Sequence, residues 1–232
     1  MHRIFFVLLT LMLFAAQVSG QNKTSVFPQI ADGVFPGGSF YKTTFMVLPF
    51  ENSTATCTLQ LQGLGVNLGQ GRSSLFTINV AQGSYFVGTT AADQSMATGY
   101  AVLTCSDYVF AQALYSSYAA DGTKIAEATV FASDGDIGAF SYRMIADQRG
   151  SNLGIAIAND TDLSRTYRFT LGALSQTVTV PPRSSSPRFL TEILPASANT
   201  VGVLKIQSLD FSDFYAIGIR YTGGAFTTVP AN

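Results

Sequence analysis

The sequence predicts an all-β protein: two tandem immunoglobulin-like β-sandwich modules behind a signal peptide. Three observations carry that expectation. Short alternating or apolar runs recur with turn residues about every 8–12 positions, the pattern of sandwiches and barrels. No stretch of ordinary helix length shows capped helical periodicity; the nearest candidate, Thr191 to Ala198, is short and contains Pro195. The third observation is a repeat. Gly202 to Tyr221, GVLKIQSLDFSDFYAIGIRY, has the build and length of Gly99 to Tyr118, GYAVLTCSDYVFAQALYSSY. Each opens on Gly, carries an alternating run, turns at an Asp, runs into a longer apolar strand and closes on Tyr.

The chain has 232 residues, and residues 1–20 read as a secretory signal. Met1-His2-Arg3 is a short basic start, Ile4 to Ala16 is apolar, and Val18-Ser19-Gly20 offers small residues before a cut at Gln21. The alternative, an uncleaved anchor, needs ~20 apolar residues, more than this run supplies. Residues 21–133 then form the first module and 134–232 the second, with the boundary near SDGDIG. The expected product is secreted, extracellular or periplasmic, with no membrane insertion after cleavage.

In the first module, Gln21 to Phe40 reads as a Gly- and Pro-rich lead-in arm, with an edge strand as its most ordered form. Thr43 to Phe50 is a strand ending at Pro49. Ala55 to Gln62 alternates, with Cys57, Leu59 and Leu61 on one face and Thr56, Thr58, Gln60 and Gln62 on the other, as a half-buried strand does. Leu75 to Val80 and Tyr85 to Thr89 are short strands. Tyr100 to Cys105 and Tyr108 to Tyr118 follow, and Ala126 to Phe131 closes the module.

The second module echoes these in order. Ile145-Ala146-Asp147 answers Ile30-Ala31-Asp32. Leu153 to Ala158 answers the Thr43 strand, with Asn159 at the turn that Asn52 makes in the first. Thr166 to Leu171 answers the Cys57 strand, Thr177 to Val180 answers Thr77 to Val80, Pro187 to Leu190 answers the Tyr85 strand, and Phe226 to Val229 is the closing strand.

Composition narrows the function. Charged residues make up 12% of the chain and hydrophobic residues 47%, which excludes a disordered chain. The formal net charge is −1, or −2 once Arg3 leaves, and the basic residues form no run, so no nucleic-acid partner is expected. The chain lacks Trp, and its single His is His2, inside the signal. A mature chain without imidazole has no His-dependent triad and no His metal ligand. No catalytic residue, cofactor or metal ligand is therefore assigned. Glu51, Glu127 and Glu192 share no motif that would pair two carboxylates. Ser39-Phe40-Tyr41-Lys42 fits Ser-x-x-Lys, but that chemistry needs a helix, and these residues lead into a strand. Asp134 and Asp136 at the boundary read as a solvated turn, with a calcium site as the alternative. Asp160 with Asp162, and Asp210 with Asp213, read as turns too.

Cys57 and Cys105 both fall on apolar strand faces in an exported chain, so they are expected to form a disulfide, the alternative being two buried free thiols. The matching positions in the second module read as Tyr167 and Ile206. Asn22, Asn52 and Asn159 begin N-glycosylation triplets and are expected at exposed positions. Among the aromatics, Tyr41, Tyr85, Tyr115 and Tyr118 are candidates for a solvent-facing stacking platform, against core or interface use.

The closing IGIRYTGGAFTTVPA, the early FPQIADG and the LGIAIAND turn resemble a recurrent group of secreted bacterial tandem β-sandwich proteins. The resemblance implies fold and export, and carries over no functional residue. The expected function is a non-enzymatic extracellular or envelope protein, a rigid two-module rod for binding, adhesion or structure, with a protein or polysaccharide partner. The alternatives are a carbohydrate-binding module, a secreted hydrolase, and strand exchange between copies through Gln21 to Phe27.

Overall fold

The computed structural model describes residues 23–50, 53–134, 139–210 and 212–229. Residues 1–20, read above as a signal, and Gln21, Asn22, Glu51, Asn52 and Asp136 lie outside the described residues. Strands make up 66% of the described residues and helix 4%, so the protein is all-β. The first half carries β1 (Lys23–Val34), β2 (Phe40–Pro49), β3 (Ala55–Gln62), β4 (Val66–Asn67), β5 (Arg72–Ser73), β6 (Leu75–Val80), β7 (Phe86–Thr89), β8 (Ala97–Cys105), β9 (Val109–Tyr118), β10 (Lys124–Phe131) and β11 (Ser133–Asp134). The second carries β12 (Ser141–Asp147), β13 (Asn152–Asn159), β14 (Arg165–Leu171), β15 (Leu174–Val180), β16 (Ser184–Phe189), a single helical turn α1 (Leu190–Ile193), β17 (Val201–Ser208), β18 (Tyr215–Thr222) and β19 (Ala225–Val229).

Every strand pairing is antiparallel. In the first half, sheet I runs β1-β8-β3-β6, and sheet II runs β7-β2-β9-β10. In the second half, sheet III runs β12-β17-β14-β15 and sheet IV runs β16-β13-β18-β19. Pairing of β1 with β2 at Gly33 and Val34 joins sheets I and II, a link that sheets III and IV lack among the described residues; that link and β11 apart, the orders correspond. The echo read from the sequence is therefore an echo of pairing.

The twin glycines that open the repeated stretches have one physical reason. A Cβ on Gly99 would run into the carbonyl oxygen of Gln62, and on Gly202 it would meet Leu171 Cδ1 at 2.9 Å. Each sits where a neighbouring strand approaches too closely for a side chain. The obstacle is backbone in the first case and the tip of a side chain in the second. Gly99→Ala is therefore expected to cost about 3 kcal/mol and Gly202→Ala about 1 kcal/mol, read by denaturant unfolding. Equal costs would contradict this assignment.

Within each half the alternating strands bury the faces the sequence marks. Cys57, Leu59 and Leu61 are buried, while Thr56, Thr58 and Gln60 are exposed. Tyr167, Phe169 and Leu171 do the same on β14. Sheets III and IV enclose one core, with Met144, Leu153, Ile157, Phe169, Leu204 and Phe214 among its members.

Several expectations change. The lead-in arm is the long strand β1, inserted between β8 and β11. Its register shifts between Phe27 and Ile30, so Pro28 sits at a bulge, where its missing N–H does least harm. Residues 23–27 pair with β8 of their own chain, so the segment proposed for strand exchange is engaged internally.

Cys57 and Cys105 lie directly opposite each other on β3 and β8 and are disulfide-bonded. The bridge therefore joins neighbouring strands of one sheet. In the second half the residue opposite Tyr167 is Ser208, and Ile206 faces Phe169 instead. The counterpart of the bridge is thus a Tyr–Ser pair.

The expected rod also gives way to broad contact between the halves. The outer side chains of sheet IV, Ala156, Ile217, Ile219 and Phe226, belong to the first half's core. Ala158 and Tyr215 pack with Val26 and Tyr100. Sheet IV is thus buried on both faces, which is why β18 is apolar at successive positions instead of alternating.

Candidate functional site

The contact between the halves leaves one cleft of about 370 Å³. Strands of both halves line it. β1 supplies Gln29, β8 supplies Thr98, β13 supplies Gly154 to Ala156, and β18 supplies Ile219 and Tyr221. The walls are aromatic. Phe35 meets Tyr41 edge-on at 5.7 Å, and Tyr41 stacks on Tyr115 at 4.7 Å. Tyr115 meets Phe226 at 5.3 Å, Phe226 meets Tyr221 at 5.5 Å, and Tyr221 meets Phe189 at 5.4 Å. This unbroken aromatic seam begins in the first half and ends in the second. Gly154 makes room for it, since a Cβ there would meet the Tyr221 ring at 3.2 Å and the Phe189 ring at 3.7 Å.

Few polar groups enter the cleft. Gln29 lines it and is 5% exposed, and its Oε1 has no hydrogen-bond partner. Leaving a buried acceptor unpaired is costly, so this atom marks where a donor would be welcome. Arg188 and Glu192 stand at the margin, and Glu192 is held there by accepting the Phe189 N–H at 2.7 Å.

The tyrosine hydroxyls are kept protonated. Burial raises Tyr115 well above its ordinary range, and the neighbouring Tyr221 and Tyr41 add to the effect. Burial likewise raises Tyr41, partly offset by its bond with Tyr115. Tyr221 is pushed up to about 12, mainly by burial. The folded state thus holds protons that the unfolded chain releases near the ordinary value of 10. Stability is expected to be complete below pH 10 and to fall as pH rises from 10 towards 12. Urea midpoints measured across that window check the sign; a midpoint that rose with pH would contradict it.

A second bond ties the halves beside the cleft. The Tyr100 hydroxyl donates to Asp160 Oδ1 at 2.7 Å, and Arg183 donates to the same oxygen at 2.8 Å and to Asp162 at 2.8 Å. Burial and the Asp160 carboxylate raise the Tyr100 hydroxyl far above its usual range. Asp160, read as part of a turn, thus also anchors the interface, while Asp162 holds Arg183 beside it. Thr228 adds a bond from its hydroxyl to the Thr129 carbonyl.

The candidate tyrosines separate. Tyr41 and Tyr115 belong to the cleft, where Tyr115 is buried. Tyr118 lies on sheet II stacked on Phe40 at 4.8 Å, and Tyr85 stands exposed. They do not form one flat row.

Glu127 accepts bonds from Ser116 and Lys124, away from Glu192. Ser39 lies just before β2 and Lys42 within it, so no helix brings them together. Asp134 pairs with Ser25 through the backbone. Among the described residues no group of three or more His, Cys, Asp or Glu is placed to hold a metal ion, and no helix is long and apolar enough to cross a membrane.

The expectation for Asn159 is overturned. It is fully buried, and its Nδ2 donates to the carbonyls of Leu163, Val180 and Pro181 at 2.8, 3.1 and 2.9 Å. The nitrogen that a glycan would need is fully engaged inside the fold. The triplet exists here because Thr161 bonds the Asn159 Oδ1 at 2.8 Å and closes the turn.

No protein-family model, curated protein or solved structure matches the chain.

Proposed function

We propose that this is an exported, non-enzymatic binding protein. It is built of two tandem immunoglobulin-like sandwiches, 21–133 and 134–232, behind a cleaved signal, and it belongs with the secreted bacterial tandem-sandwich group its sequence resembles. The cleft between the halves is its binding site. One observation carries the reading: an aromatic-walled cavity of about 370 Å³ with a single buried, unpartnered acceptor, Gln29 Oε1. That size falls at the lower end of small-molecule sites, and a few placed polar groups in an apolar cavity are what such sites use for orientation. The complementary group is a flat apolar moiety bearing one N–H or O–H donor, as the anchoring side chain of a protein partner would present. The carbohydrate reading is weaker, because the tyrosines fold into a cleft instead of a flat exposed row.

Indole, flat and carrying one N–H, is the probe. Thermal unfolding of the mature protein with indole is expected to show a concentration-dependent rise in midpoint. Gly154→Leu fills the cleft and should abolish the rise, while short β-glucan oligosaccharides should give none. No response to indole, or a response retained by Gly154→Leu, would count against the site. A response to the oligosaccharides alone would favour the carbohydrate reading.

A further inference from the structure

Strand β1 breaks its register at Gln29. Phe27 pairs with Ala101 and Ile30 with Gly99, so Pro28 and Gln29 together stand against the single residue Tyr100. Two residues against one make a β-bulge, and a bulge turns a side chain out of the strand's alternation. The residues around it, Phe27, Ile30 and Tyr100, are buried in apolar clusters. Gln29, 5% exposed, instead lines the cleft between the halves.

Its amide is unbonded at both ends. Oε1 is sealed from solvent without a partner, and among the described residues no group bonds Nε2 either. Buried amides are ordinarily hydrogen-bonded, because an unpaired one costs the fold free energy. A methionine would fill the same length without that cost. Folding alone therefore disfavours Gln29, and what offsets the cost lies in the cleft.

A primary amide carries a donor and an acceptor side by side on one planar edge. A ligand with a single N–H satisfies one end and leaves the other unpaired. An edge with an N–H beside a C=O satisfies both at once.

We propose, on the reading of the cleft as the binding site, that its ligand is a flat ring bearing a lactam or primary carboxamide edge, and that Gln29 is the residue that reads that edge. The aromatic seam supplies flat apolar walls for the ring, and Gln29 fixes which way the ring points. Gln29 thus trades stability for recognition.

Three probes of one ring skeleton separate the two ends of the amide. Oxindole carries an N–H beside a C=O, indole carries the N–H alone, and N-methyloxindole carries the C=O alone. Isothermal titration calorimetry of the mature protein should find oxindole bound about fivefold more tightly than indole, the worth of one further hydrogen bond. N-methyloxindole should be weaker than oxindole by at least that factor. Gln29→Met should bind oxindole no more tightly than indole. Without ligand, Gln29→Met should unfold at a thermal midpoint equal to or above that of the wild type.

A wild type that binds oxindole no better than the other two probes, a preference kept by Gln29→Met, or a Gln29→Met midpoint below the wild type's would each overturn the proposal. Probes that bind without preference, and lose binding in Gly154→Leu, leave the cleft a binding site and remove only the role of Gln29. Binding of none of the three probes removes the site, and the role of Gln29 with it.

Discussion

Replacing Cys57 and Cys105 together by Ala lowers unfolding free energy by about 4 kcal/mol. The bridge spans 48 residues, and closing a loop of that length removes about that much chain entropy from the unfolded state. The loss belongs to the unfolded chain, so the folded contacts on either side should survive. The pairing of Gln60 with Val102 and of Leu61 with Ala101 continues along β3 and β8 beyond the bridge, and neighbouring Leu59 and Leu103 stay buried. The expected result is therefore a lower urea midpoint with an unchanged far-ultraviolet spectrum. The slope of free energy against urea should rise, since the unfolded chain expands once released. A double variant with the wild-type midpoint would show that the bridge constrains nothing the fold does not already hold.

Asn159→Ala is expected to cost about 4 kcal/mol. Its two amide N–H groups serve three carbonyls, one hydrogen being shared, and its Oδ1 accepts from the Thr161 hydroxyl and backbone N–H. Each buried partner left unpaired costs about 1–3 kcal/mol, reduced where water enters through the exposed Leu163 side. The Asp conservative variant separates size from chemistry. It keeps the acceptor for Thr161 and presents a carboxylate to three carbonyl oxygens, so it should destabilise at least as much as Ala. Thermal unfolding of the two variants checks the order. An Asp variant as stable as wild type would contradict the assigned orientation of the amide.

Much of the fold was legible because half-buried strands advertise themselves. On β3 and β14 every second residue is apolar, and those residues are the buried ones. The repeat was legible because Gly99 and Gly202, and Tyr118 and Tyr221, bound stretches of equal length. β11, ending at Asp134, pairs with β1, and β12 opens the next sheet at Ser141, with residues 135–138 outside the described ones.

Strand β1 reads from the sequence only as a lead-in arm with an edge strand, for a physical reason. It is buried on both faces from Val26 to Gly33, so alternation disappears, while Pro28 and Gly33 imitate a loop. Gly33 has φ of 123° and lies where a Cβ would strike the backbone of Gln94 and Ser95, so it is required by the turn from sheet I to sheet II and is no sign of disorder.

The cleft was half legible. Tyr41 and Tyr115 were singled out, but nothing local joins them to Phe189 or Tyr221, whose approach depends on how the halves pack. Asn159 failed in the opposite sense. A triplet read as a surface signal is the wiring of a buried turn. The Tyr167–Ser208 pair likewise required the register, which no count of apolar residues supplies.

The whole account depends on sheet IV being shared, one face on its own core and the other closing the first half. Differential scanning calorimetry of the mature protein tests this most directly. If the halves are held by Ala156, Ile217, Ile219 and Phe226 in one apolar mass, neither can unfold without exposing the other. The protein should then melt in one transition with calorimetric and van't Hoff enthalpies equal. Ile217→Asp should split that transition into two. Two separate transitions in the wild type, each insensitive to Ile217→Asp, would contradict it.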